Sequence, residues 1–250
     1  MIRTIHHQAC TGGTLISKCI AALPNLYLLS EINPVANGRV RFSPTELVSQ
    51  FMGQYRKNSV DIKRKYFFTQ LDIILDEAKK SEKSLVIRDH NHPAYMGRHL
   101  QNDDSLLSFL ENYKTKSLLT IRNPADSFLS CRKSGWLGHI DNNFELYCER
   151  YISFVQDYSH MPCVRYEDFC KKPAESLKHI CDVLELEYDE DFLGKFGDIT
   201  LTGDSGRKQT EIVVHPRREV DEEQLKEFTE SSSYRKFCEM FDYEVVGETV

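Results

Sequence analysis

No stretch of this chain comes near the run of about 20 apolar residues that a helix needs to cross a bilayer. Its start, Met1-Ile2-Arg3-Thr4-Ile5-His6-His7-Gln8, lacks the apolar segment of a secretory signal. The expectation is a cytoplasmic protein with no transmembrane segment. The eight cysteines, at 10, 19, 131, 148, 163, 170, 181 and 238, form no CxxC pair and no repeated short spacing. Reduced thiols are therefore expected, most of them as small core residues. There is no Asn-X-Ser/Thr acceptor, no internal repeat and no linker rich in Pro, Gly or Ser. One domain over residues 1–250 is the expected organisation. Positive charge is not in excess: 32 Lys and Arg against 38 Asp and Glu give a net charge of −6. That balance disfavours a general nucleic-acid or anionic-membrane surface but leaves room for a local basic pocket. What is present is an ordinary globular composition, 40% hydrophobic and 28% charged, with Phe, Tyr, Leu, Ile and Val spread along the chain.

The order of apolar runs predicts strands and helices in alternation. Ile2 to Ala9 reads as a strand, followed by a glycine turn and a helix from about Thr14 to Leu23, which Pro24 ends. Helical stretches are expected at about 44–57, 61–80, 105–113, 142–158, 173–185 and 221–240. Short buried strands are expected at Leu85-Val86-Ile87, at Ser117 to Ile121 and at Pro162 to Tyr166. Asn123-Pro124-Ala125-Asp126 has the N-cap and first-turn proline of a helix start. Strands separated by helices imply an α/β fold with a mainly parallel sheet flanked by helices, and such sheets bind ligands at the carboxyl ends of their strands.

Two segments at strand ends suit an anion. In Cys10-Thr11-Gly12-Gly13-Thr14-Leu15 the glycines permit a tight turn and close backbone approach. The following helix offers unpaired N–H groups, and two threonines add hydroxyls. No GxxxxGK[ST] is present, so this is not a Walker A loop. In Ile121-Arg122-Asn123-Pro124-Ala125-Asp126-Ser127-Phe128-Leu129-Ser130, a guanidinium at a strand end and a helical hydroxyl eight residues on make a phosphate clamp. Taken singly, the first also suits a plain turn and the second a surface arginine.

Together the two segments resemble sulfotransferases that use 3′-phosphoadenosine 5′-phosphosulfate (PAPS). The first is similar to their 5′-phosphosulfate loop, R/K-S-G-T/S-T. The second is similar to their 3′-phosphate site, R-x-P-x-D with a serine eight residues after the arginine. Arg165-Tyr166-Glu167-Asp168-Phe169, with Pro173 beyond it, resembles the family's strand–helix unit. Gly203-Asp204-Ser205-Gly206-Arg207-Lys208 resembles the loop that closes over the 3′-phosphate and adenine. The resemblance runs from about residue 5 to 243. It implies a P-loop-like sulfotransferase architecture, PAPS as sulfuryl donor and 3′,5′-adenosine bisphosphate (PAP) as product, with no metal. It assigns the 5′-phosphate to Thr11, Gly12, Gly13, Thr14 and Leu15. The 3′-phosphate falls to Arg122, Ser130 and the Gly206-Arg207-Lys208 loop.

One position departs from the pattern. Cys10 stands where the family has a cation, and Gly13 replaces a hydroxyl. Lys18, His7 or Arg88 are the groups available to restore charge. A reactive Cys10 thiolate is the lesser alternative to a small residue filling the loop. For the base, the resemblance offers Glu31, in Leu28-Leu29-Ser30-Glu31-Ile32-Asn33-Pro34, and His90, in Val86-Ile87-Arg88-Asp89-His90. Glu31 is preferred, because apolar neighbours are expected to raise its pKa. Arg88 would offset charge on the transferring group. His90-x-His92 also has the look of a metal pair, but it lacks a third ligand, Asp89 pointing the other way along a strand. His6-His7-x-x-Cys10 reads as strand packing. Trp136 suits a cleft, core or surface position equally, and Arg217-Arg218 falls near the cofactor or on the surface. The expected activity is sulfuryl transfer to a hydroxyl, less readily an amine, of an acceptor the residues do not specify, such as a saccharide or lipid. The rivals are a P-loop-type phosphotransferase, for which no triphosphate lysine or Mg²⁺ site is evident, and a non-catalytic nucleotide-binding scaffold.

Overall fold

A computed structural model describes residues 1–34, 48, 60–96, 105–137, 140, 142–202, 211–214 and 216–248. In chain order the elements begin β1 (Ile2–His7), α1 (Gly13–Ala21), β2 (Leu26–Ile32), α2 (Val60–Lys80), β3 (Ser84–Asp89), α3 (His92–Met96) and α4 (Leu106–Phe109). They continue β4 (Thr115–Ile121), α5 (Pro124–Ser134), α6 (Phe144–Asp157), β5 (Cys163–Arg165), α7 (Tyr166–Lys171) and α8 (Pro173–Leu184). Then come α9 (Phe192–Lys195), a 3₁₀ turn at Phe196–Asp198, α10 (Glu222–Glu230) and α11 (Ser232–Phe241).

The described strands form one parallel sheet in the order β2-β3-β1-β4-β5. β1 is central and wholly buried, pairing Ile5 with Arg88 on one side and with Leu118 on the other. Alternate residues of a strand face opposite sides of a sheet, and β4 shows the division. Leu118 packs with Ile5, Ile16, Ile20, Phe169, Leu177 and Ile180 under α1, α7 and α8. Leu119 and Ile121 pack on the other face with Phe128, Phe144, Tyr147, Phe228 and Phe237 from α5, α6, α10 and α11. α2 covers the β3 end of the sheet, where Leu71 meets Leu85 and Ile87. With both faces covered, the open part of the sheet is the row of carboxyl ends, where β1, β3 and β4 deliver His7, Asp89 and Ile121.

Local chemistry sets most boundaries. Asn123 caps α5, its side chain accepting from the Ala125 N–H at 3.0 Å, with Pro124 in the first turn. The helix expected at 221–240 is two helices. Ser231 is extended, at φ −73° and ψ 115°, and caps α11 by accepting from the Tyr234 N–H. Glu145 of α6 accepts from the hydroxyls of Ser232 and Ser233, fixing the break. The helix expected over 105–113 is a single turn. Leu26–Ile32, to which the apolar pattern assigns no element, is a strand. The helix expected at 44–57 lies outside the described residues, Val48 apart. None of the eight cysteines is in a disulfide, and all but Cys10 and Cys163 are buried.

Candidate active site

The glycine loop leads directly from β1 into α1. Cys10 adopts φ 61° and Gly12 φ 85°. A Cβ at Gly12 would lie 1.9 Å from the ring of Tyr166, and one at Gly13 would lie 2.5 Å from the ring of His7. Gly12 is thus required twice, for its left-handed backbone and for the ring above it. The loop is closed by Thr11, whose hydroxyl donates to the Gln8 carbonyl at 2.8 Å. No side chain caps the first turn of α1. The positive end of the helix dipole favours an anion there.

Arg122 sits on one flank of this loop. Its Nη1 donates to the Cys10 carbonyl at 3.2 Å, and its guanidinium lies 4.8 Å from the centre of the Tyr166 ring. The strand end that carries it is fixed at several points. Tyr151 Oη accepts from the Arg122 N–H and Glu167 accepts from the Asn123 N–H. Tyr234 donates to the Asn123 side chain and Tyr243 to Glu167. Tyr166, lying over Gly12 and against Arg122, ties the two segments together, and Glu167 fixes the Arg122 strand end through Asn123, roles not evident in their sequence. Ser130 is buried in α5 and accepts from Arg218 Nη2 at 3.3 Å, while Arg217 pairs with Asp126 on the same helix. Arg218 thus reaches the serine expected to contact phosphate. Gly206, Arg207 and Lys208 lie outside the described residues.

Arg88 occupies the other flank and is almost fully buried. Each nitrogen of its guanidinium has a partner: Nε donates to His7 Nε2 at 2.8 Å, Nη1 to Ser30 Oγ at 3.0 Å and Nη2 to Thr14 Oγ1 at 2.9 Å. Nη2 also pairs with Glu31 Oε1 at 2.6 Å. Of the groups able to replace the cation absent at Cys10, Arg88 reaches the loop through its bond to Thr14. His7 belongs to the same network, so the packing role expected for both β1 histidines fits His6 alone. His6 bonds Asp89 at 2.8 Å and Thr4 at 2.9 Å, and stacks on Tyr158.

His7 is held neutral by geometry. Its Nδ1 donates to the Gln8 carbonyl, so Nε2 must accept from Arg88. Burial and then the adjacent Arg88 charge push its imidazole down to about 3 from an ordinary 6.5, with Glu31 pulling the other way and His92 reinforcing the shift. The unfolded chain therefore takes up a proton at this residue that the folded chain refuses. Stability is expected to fall as pH drops from about 6.5 towards about 3. His7→Gln keeps an acceptor for Arg88 and should flatten that slope in denaturant titrations run across the window. An unchanged slope would show that His7 does not titrate on unfolding.

Glu31 is placed by an irregularity in β2. The β2–β3 register shifts between Leu29 and Ile32, and Glu31 has φ 61°. A bulge re-aims a side chain, and a non-glycine residue in this region stores strain that surrounding contacts must hold. Here Arg88 holds Oε1 and His90 holds Oε2. Burial pushes the Glu31 carboxyl up, but the His90 hydrogen bond and the Arg88 charge outweigh it and bring it down to about 2. This corrects the expectation of a raised pKa, since the apolar neighbours matter less than the cations its strained backbone turns it towards. His90 is fixed through its backbone, its N–H donating to the Ile32 carbonyl and its own carbonyl accepting from Asn33. The His92 ring lies 4.3 Å from that of His90. Burial and then the adjacent His90, with Arg88, lower the His92 imidazole to about 4 against the pull of Glu31. Trp136, beyond α5, is exposed.

No protein-family model and no curated protein matches the sequence. Solved structures do match. The sulfotransferase domain from the curacin biosynthetic pathway aligns with a TM-score of 0.54 at 16% identity, over 98% of each chain. The sulfotransferase domain of the Synechococcus PCC 7002 olefin synthase aligns with a TM-score of 0.54 at 17% identity, over 97% of this chain and 94% of that one. Mouse sulfotransferase SULT7A1, complexed with PAP, aligns with a TM-score of 0.47 at 14% identity, over 96% and 82%. The chain has the sulfotransferase fold. Among the described residues no helix is long and apolar enough to cross a membrane.

Proposed function

We propose that this chain transfers a sulfuryl group from PAPS to a hydroxyl of a saccharide, lipid or other small alcohol. The observation that carries the reading is the Arg88 guanidinium, which joins the anion loop at Thr14 to the Glu31–His90 pair in one crevice. An anion site, a buried cation and a proton acceptor stand in sequence there, as displacement at sulfur requires. The α1 N–H groups hold the 5′-phosphate. Arg122, Ser130 and Arg207 take the 3′-phosphate, with Arg218 joining them through Ser130, and Gly206 and Lys208 belong to the closing loop.

The proton acceptor is His90, with Glu31 as its orienting anion. Both oxygens of Glu31 are engaged, and its side chain is 13% exposed against 30% for His90. An ionised carboxylate only accepts, so His90 carries its proton on Nδ1 and its Nε2 lone pair is left for the substrate hydroxyl. The hydroxyl oxygen attacks sulfur as its proton passes to Nε2. The bond from sulfur to the 5′-phosphate oxygen breaks, and PAP leaves. Arg88 offsets the charge on the group in transit.

A thermal-shift comparison of PAP, ADP and ATP with Mg²⁺ tests the class, because a ligand that binds the native state raises its apparent stability. PAP is expected to give the largest shift. A preference for ATP with Mg²⁺ would indicate a phosphotransferase, and no response to any nucleotide a scaffold.

A further inference from the structure

The pair His90-x-His92 lacks a third ligand in the sequence, since Asp89 is turned away, and in the fold Asp89 is engaged by His6. The third group comes instead from β2. Glu31, His90 and His92 each offer one ligand atom, and these atoms lie within 4.8 Å of one another. We propose that Glu31, His90 and His92 form a binding site for a divalent first-row transition cation, with zinc as its type.

Two imidazoles and one carboxylate are a donor set that suits Zn²⁺, Co²⁺, Ni²⁺ or Fe²⁺ rather than Mg²⁺ or Ca²⁺, which favour oxygen alone. Three protein ligands also leave positions open, as in zinc sites that keep an exchangeable ligand. Ligand atoms around a tetrahedral zinc are roughly 3.3 Å apart, so closing on an ion asks for small side-chain adjustments. The carboxylate is already oriented for it. Arg88 keeps Oε1 and directs Oε2 towards His90, the kind of outer hydrogen bond that positions metal-ligating carboxylates. The three groups are half-buried rather than sealed, so an ion can enter from solvent. One consequence rests on the sulfuryl-transfer reading: a bound cation occupies the Glu31–His90 pair and stops the reaction.

The test is binding itself, on the full chain, with Zn²⁺ titrated calorimetrically and Co²⁺ followed by its absorption spectrum. One ion per chain is expected, with a cobalt spectrum free of sulfur-to-metal charge transfer. Affinity should fall at least tenfold in both His92→Ala and His92→Asn, since losing only an outer partner of a ligand costs about 10–100-fold. The two variants guard against a folding defect in one of them, and their thermal unfolding reports it. No binding, undiminished binding in the folded His92 variants, or a thiolate spectrum pointing to the cysteines would overturn the site. Binding without any sulfuryl transfer would leave the site standing and remove only the inhibitory consequence.

Discussion

Arg88→Lys is expected to leave the protein folded and to lower sulfuryl-transfer turnover by about 10²–10³-fold, the cost of removing one preorganised donor to developing charge. Lysine keeps the positive charge but not the planar fork. Arg88 serves His7, Ser30, Thr14 and Glu31 at once, and an ammonium cannot reproduce that set of directions. Arg88→Ala is a harsher change. It leaves the Glu31 carboxylate without its buried counter-charge, and breaking such a pair costs about 3–5 kcal/mol. A fall in melting temperature without the alanine variant's complete collapse would agree with that figure. The lysine variant therefore separates chemistry from folding. Near-normal turnover in Arg88→Lys would show that only charge, and not the linkage of loop to base, matters at this position.

His90→Gln is expected to lower turnover by about 10²–10⁴-fold, the usual contribution of a general base, with nucleotide affinity near that of the parent. Glu31→Gln should also lower turnover, because His90 then loses the anion that fixes its Nδ1–H and supports its charged form. The two variants differ in degree: His90→Gln removes the acceptor itself and should cost more than Glu31→Gln, which removes only the anion that orients it. A His90→Gln protein with near-normal turnover, beside an inactive Glu31→Gln, would return the base role to Glu31. The carboxyl itself also stabilises the fold. Its folded pKa lies below the ordinary 4.5, so its contribution is present above that pH and is lost as pH falls towards about 2.

The parts of this site legible in the sequence are those whose cause is local. The glycine loop shows itself because only glycine tolerates the φ 85° at Gly12 and the ring above it. Asn123 and Pro124 mark the start of α5 through capping chemistry confined to a few residues. The parallel sheet follows from short apolar strands spaced by helices. What stayed hidden depends on contacts between distant segments. Glu31 meets Arg88 and His90, 57 and 59 positions away, only because β2 pairs with β3 and bulges there. Without that pairing, apolar neighbours argue for a raised carboxyl pKa, and the direction reverses once the cations arrive. The contact of Arg88 with Thr14, the bond of Arg218 to Ser130, the bridge of Tyr166 from Gly12 to Arg122 and the bond of Glu167 to Asn123 are long-range in the same way. The split of the last helical stretch turns on Glu145 gathering three consecutive serines, which no periodicity reveals.

The central claim, a donor nucleotide recognised through its 3′-phosphate beside an anion loop, is tested most directly by calorimetric titration of PAP against 5′-AMP. Charge-assisted hydrogen bonds contribute roughly 1.5–3 kcal/mol each, so PAP should bind at least about tenfold more tightly than 5′-AMP. Arg122→Ala should remove about that much of the difference. Equal affinity of the wild-type chain for the two nucleotides would contradict the account.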